Sequence, residues 1–136
     1  MIKPICTDKF ILSQKAVPAT INDISTGKDL FDTLVANGDR CVGMAANMIG
    51  INKAIICIND NGTFYTMYNP EIKKCSGLYH TSEGCLSLDG VRECDRYRSI
   101  QVRFQTADFK WKEKTFKDFS AEIIQHELDH LEGILI

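Results

Sequence analysis

Near the end of the chain stands His126-Glu127-Leu128-Asp129-His130, an H-E-x-x-H pattern. Histidines four apart project from the same face of a helix. Two imidazoles so placed chelate a divalent metal, and the intervening Glu127 serves as general base on an activated water. The chain has only three histidines. Two of them fall in this pattern, which favours a metal site over two histidines on a charged surface.

A catalytic site of this kind needs a third protein ligand and an open position. Downstream there is little to supply it. The chain ends at Ile136, and Glu132 points to another side of the helix from His130. The third ligand is therefore expected upstream, from His80, Glu83 or a cysteine thiolate. The segment SEGCLS (82–87) offers the best of these. Cys85 lies beside Gly84, which permits close backbone approach. A buried structural cysteine is an equally good reading of Cys85 from local sequence alone.

These residues need elements to hold them. The apolar spacing of Ile123, Ile124, Leu128 and Leu131 predicts a helix over 121–131, with Asp118 or Ser120 as its cap and Gly133 at its stop. An earlier helix is predicted over 24–38, with Leu30, Phe31, Leu34 and Val35 on one face. The run KAIICI (53–58) reads as a buried strand. Asn61-Gly62 turns it into a partner at 63–68, and Asn69-Pro70 is expected to interrupt that strand. A short strand is expected at 71–75, and a hairpin of 99–106 with 110–116. The whole reads as a single α+β domain over residues 1–136, with antiparallel strands packed around a C-terminal metal-binding helix. One further stretch, CVGMAANMIG (41–50), mixes small and bulky apolar residues, as a backbone pressed against a neighbouring segment or a ligand would.

Composition narrows the function classes. The 136 residues are 44% hydrophobic and 25% charged, with a net charge of −2. That is an ordinary globular balance, with no electrostatic case for nucleic acid or a membrane. Residues 92–117 hold eight Lys or Arg with acids interleaved, and read as a solvated sheet face. No apolar run is long enough to span a membrane or to form a signal peptide, so a cytoplasmic location is expected. The six cysteines form no C-x-x-C pair. They are expected to be reduced and mostly buried.

Three motifs in order give the chain a family resemblance. Glu83-Gly84-Cys85-Leu86-Ser87 and the run Gln125 to Gly133 match, complete, the second and third motifs of the peptide deformylases. Cys41 to Met48 resembles the first, with Cys41 in place of a glycine and Met48 in place of a glutamine. The resemblance implies a hydrolase that removes the formyl group from the N-terminal formylmethionine of new bacterial proteins. It implies Cys85, His126 and His130 as metal ligands, with Fe2+ the usual physiological ion and Zn2+, Ni2+ or Co2+ also accommodated. By the same resemblance Glu127 moves the proton, and the backbone N–H of Leu86 and the group at position 48 face the oxyanion. The backbone of Val42, Gly43 and Met44, with Glu83, is implied to hold substrate. Gln125 and Asp129 are read as groups that orient ligands, a plain surface carboxylate being an equal reading of Asp129.

Met48 is the departure that bears on chemistry, because a thioether donates no hydrogen bond. Asn47 carries an amide, but in an extended segment its side chain would point to the opposite face. The expectation is a working metal site with weakened oxyanion stabilisation. Formyl-methionyl peptide is the implied partner, along with a transient ribosome encounter that lacks a C-terminal docking helix. The alternatives are an amidase for another small N-acyl substrate, a low-activity metal-binding relative, and an enzyme using Cys85 as nucleophile.

Overall fold

The structure is a computed structural model that describes residues 1–85 and 87–135, with backbone alone at 88 and 89. A short helix α1 (Lys9–Leu12) precedes α2 (Ile24–Ala36), then come strands β1 (Gly43–Ala45), β2 (Ile55–Asp60), β3 (Thr63–Cys85), β4 (Leu88–Gln105) and β5 (Trp111–Lys117), and finally α3 (Asp118–Leu131). The strands form one antiparallel sheet in chain order, β1 through β5.

The apolar run at 55–58 explains where the two helices go. Ile55, Ile56, Cys57 and Ile58 are all fully buried. Successive strand residues face opposite sides of a sheet, so β2 must be covered on both. Ile55 and Cys57 join Leu30 and Leu34 of α2 in one apolar cluster. Ile56 and Ile58 join Ile100, Val102, Phe104, Phe116, Ile123 and Ile124 in a second, built between the sheet and α3. The helices thus lie on opposite faces, and α3 is fixed by its apolar stripe against β4 and β5.

Several expectations are corrected. On α2 the buried face is Gly27, Leu30, Thr33 and Leu34. Phe31 and Val35 are exposed, and Phe31 instead meets Phe64 edge-on. Asn69-Pro70 does not end β3. The strand absorbs it as an irregularity in register between Tyr68 and Glu71, with Asn69 at φ 53°. The Asn69 side chain accepts from the Ala19 N–H and donates to the Ala19 carbonyl, which anchors the N-terminal segment there. The short strand at 71–75 is therefore part of a 23-residue strand. Neither Asp118 nor Ser120 caps α3. The helix begins at Asp118 itself after Lys117, without a side-chain cap, while Ser120 donates to Asp60. Of the six cysteines, all free, only Cys57 is fully buried.

Candidate active site

Helix α3 lays Ile123, His126, Glu127 and His130 inward, all of them buried. Strand β3 delivers Cys85 at its last residue. The result is a cluster in which Cys85 Sγ lies 3.2 Å from His130 Nε2, and His130 Nε2 lies 3.1 Å from His126 Nε2. Three ligand atoms, one from each residue, lie within 4.8 Å of one another. Metal–ligand lengths of about 2.0–2.3 Å make tetrahedral edges of about 3.3–3.6 Å. The observed separations are close to such edges, so a thiolate and two imidazoles here fit a divalent ion of the borderline-soft class. Of the upstream alternatives, His80 lies on the surface and pairs with Asp95 and Glu93.

Glu83 does a different job from a ligand. Its Oε1 lies 2.6 Å from His126 Nδ1. A proton on Nδ1 leaves the Nε2 lone pair aimed at the cluster. The Glu83 carboxylate also accepts from Arg96 Nε at 3.0 Å and Nη2 at 2.8 Å, a two-pronged pair. Arg96 Nη1 in turn reaches Asp129 at 2.6 Å. Asp129 therefore orients the arginine that orients the glutamate that orients His126. Glu83 lines the cavity, but its carboxylate is committed to His126 and Arg96. Burial alone would raise the Glu83 carboxyl; the hydrogen bonds from His126 and Arg96 override it and hold it well below the usual carboxylate range.

Arg96 went unread in the sequence. It sits among the charges assigned to a solvated sheet face, yet it is only 4% exposed. Its partners are distant along the chain, so no local pattern could reveal it. Gln125 also differs from expectation. It donates to the Tyr97 and Ala121 carbonyls and accepts from the Tyr97 N–H, clamping α3 to β4 rather than holding a ligand.

Glu127 is 4% exposed, and among the described residues its Oε1 has no hydrogen-bond partner. Burial pushes its carboxyl up to about 7, against the opposing pull of the His126 charge. A carboxylate near neutrality and free of partners suits proton transfer. Gly43 on β1 packs against it. A Cβ there would lie 2.7 Å from Ile123 Cγ2 and 2.9 Å from Glu127 Oε2, so this position requires glycine for close approach.

These groups open on a cavity of about 610 Å³ whose wall includes Val42, Gly43, Met48, Glu83, Cys85 and Glu127. Met44 is fully buried in the core. Met48 belongs to a 3₁₀ turn, Ala46–Ile49, not to an extended segment. Its sulfur is 3.5 Å from the Ala45 N–H. Asn47 fails to replace the missing amide for a reason other than strand alternation: its Nδ2 donates to the His130 carbonyl at 2.8 Å. Leu86 lies outside the described residues.

Comparisons with known proteins agree with this architecture. The sequence model of the polypeptide deformylase family matches residues 2–136. A peptide deformylase of Clostridium beijerinckii is 48% identical over 136 residues, covering 100% of both chains. One from Heliobacterium modesticaldum is 36% identical over 133 residues, covering 92% of this chain and 84% of its own. Among solved structures, the Met-Ala-Ser-bound class I type b peptide deformylase of Acinetobacter baumannii superposes with a TM-score of 0.89 at 28% identity, covering 99% of this chain and 97% of its own. The peptide deformylase of Thermotoga maritima matches with a TM-score of 0.89 at 27% identity, covering 99% and 95%. The fold and the site define a hydrolase with an antiparallel sheet and a C-terminal helix bearing H-E-x-x-H. The chain belongs to the polypeptide deformylase family.

Proposed function

We propose that the chain, acting as one domain over residues 1–136, removes the formyl group from formyl-methionyl peptides with a divalent ion held by Cys85, His126 and His130. The observation that carries this reading is the convergence of those three ligand atoms beside an unpartnered, buried Glu127 in one cavity. Ferrous iron is the proposed physiological ion, with zinc, nickel and cobalt compatible with the same donors. When bound, the ion supplies a Lewis acid for the formyl carbonyl and lowers the pKa of a coordinated water.

The residues of the chain do the rest. Glu127 takes a proton from the attacking water and passes it to the departing amine as the C–N bond breaks, giving formate and a free N-terminus. His126 is kept in its ligating orientation by Glu83. Among the described residues, strand β1 pairs only with β2, along one edge. Its other edge can hold the peptide as an added strand through the backbone of Val42, Gly43 and Met44. The Leu86 N–H is the proposed oxyanion donor. Met48 supplies none, so the rate is proposed to be reduced. A cytoplasmic location and a transient encounter with the ribosome, where formylated nascent chains arise, belong to the same proposal.

The test is formate release from formyl-Met-Ala-Ser by the iron- or nickel-loaded protein, beside a Glu127→Ala control and a panel of N-acyl peptides. Turnover of the formyl peptide that is lost in the control supports the reading. Turnover of acetyl or larger acyl peptides in preference would favour the broader amidase, and no turnover above the control would sink the proposal.

A further inference from the structure

The two histidines of the cluster are held in different ways. His126 is oriented through its ring, because its Nδ1 meets Glu83 at 2.6 Å. His130 is fully buried, and its Nδ1 has no hydrogen-bond partner among the described residues. A ligating imidazole normally has its second ring nitrogen fixed by a hydrogen bond. The pose of His130 therefore comes from packing and from the backbone that carries it.

That backbone is the last turn of α3, where a helix leaves four carbonyls without an internal donor and tends to fray. Here each of the four has a donor. The Leu128 and Asp129 carbonyls accept from the Glu132 N–H at 3.2 and 3.0 Å, and the Asp129 carbonyl also accepts from the Ile134 N–H at 3.0 Å. The Leu131 carbonyl accepts from the Ala16 N–H at 2.7 Å. The His130 carbonyl accepts twice, from the Gly133 N–H at 3.1 Å and from Asn47 Nδ2 at 2.8 Å. Asn47 is 1% exposed and lies 83 residues away along the chain. Burying an amide is costly unless it is hydrogen-bonded, and this bond is the one that Asn47 makes with its side chain among the described residues. The turn that offers Asn47 also brings Met48 to the cavity wall.

We propose that Asn47 is a positioning residue for the metal ligand His130. By holding the carbonyl of that residue, it keeps the last turn of α3, and with it the imidazole, in the ligating pose before an ion arrives. The proposal rests on the metal site of the deformylase reading and adds how the histidine without a ring tether is kept in place. Asn47 acts through His130 and touches no reacting atom.

The test measures the affinity of the metal-free protein for Co2+ and Zn2+ by competition with a chelating dye. The visible spectrum of the Co2+ form and the unfolding midpoint are recorded beside it. Wild type is compared with Asn47→Leu, which keeps the size of the side chain without its donor, and with Asn47→Ala. A fourth protein, Val102→Ala, carries a core truncation on β4. Both Asn47 variants are expected to bind either ion roughly tenfold more weakly, the low end for groups that orient ligands. Their Co2+ bands should change as His130 loosens its hold. Val102→Ala should lose stability yet keep the affinity and spectrum of wild type. Wild-type affinity and spectrum in either Asn47 variant, or an equal loss of affinity in Val102→Ala, would overturn the proposal and leave the deformylase reading intact. If leucine prevents folding, the alanine variant decides. Failure of wild type itself to bind either ion, together with no turnover of formyl-Met-Ala-Ser, would overturn both.

Discussion

At the scale of single residues, two positions carry sharp consequences. Gly43 lets β1 lie against Glu127. In Gly43→Ala the added methyl meets Ile123 and the Glu127 carboxylate within 3 Å. Overpacking of this kind costs about 1–3 kcal/mol, and it displaces Glu127, the proposed proton carrier, as well. Denaturant titration should show the lost stability, and kcat should fall more than the stability loss alone explains. Met48 is the second position. One oxyanion donor is worth roughly 10²–10³ in kcat, so Met48→Gln should raise kcat on formyl-Met-Ala-Ser by something on the order of 10² at equal metal content. Equal rates would mean that another group already makes the contact. Much of this scale is legible in sequence. His126, Glu127 and His130 stand in one helical turn, and Cys85 is set off by its glycine. Arg96 is not legible, because its partners Glu83 and Asp129 lie 13 and 33 residues away, and alternating charges look alike whether solvated or buried.

At the scale of elements, the long hairpin of β3 and β4 holds the end of α3 through Arg96. Replacing Arg96 with Met leaves Glu83 and Asp129 without their cation. Breaking a buried pair from one side costs about 3–5 kcal/mol, and thermal or chemical unfolding should record a loss of that size. The acid response should change too. The Glu83 carboxyl is held below its ordinary value of 4.5 in the folded state. Its contribution to stability is therefore complete above that pH and is lost as pH falls below it. In metal-free protein, stability should drop on acidification below pH 4.5, and the drop should be shallower in Arg96→Met. A slope as steep as in wild type would contradict this role. The strand run at 53–58, the Asn-Gly hairpin and the late helix were all readable from apolar period and turn chemistry. The passage of β3 through Asn69-Pro70 was not, because the Asn69 side chain bonds a segment 50 residues away and so outweighs the local turn signal. The cap of α3 was misread for the same kind of reason, since Ser120 is engaged by Asp60.

At the scale of the whole molecule, the site joins two parts of the chain that meet only on folding. Cys85 comes from the end of β3, and both histidines come from α3, which closes the second apolar cluster. An ion that binds only the folded arrangement stabilises it by mass action. Stripping the metal should therefore lower Tm, the drop should depend on the concentration of ion restored, and Cys85→Ser should show little response to added ion. The α+β class and its antiparallel character were legible from the mixture of strand and helix periods. That the helices cover opposite faces of one sheet follows from the unbroken apolar run of β2, which needs both sides covered.

The most direct measurement is formate release from formyl-Met-Ala-Ser as Fe2+ is added stepwise, without oxygen, to metal-free protein. Activity should be absent at the start, rise with added ion and level off at about one ion per chain, as one three-ligand site requires. Cys85→Ser and Glu127→Ala should stay flat throughout. Full activity in the metal-free protein, or in Glu127→Ala with the ion restored, would contradict the account.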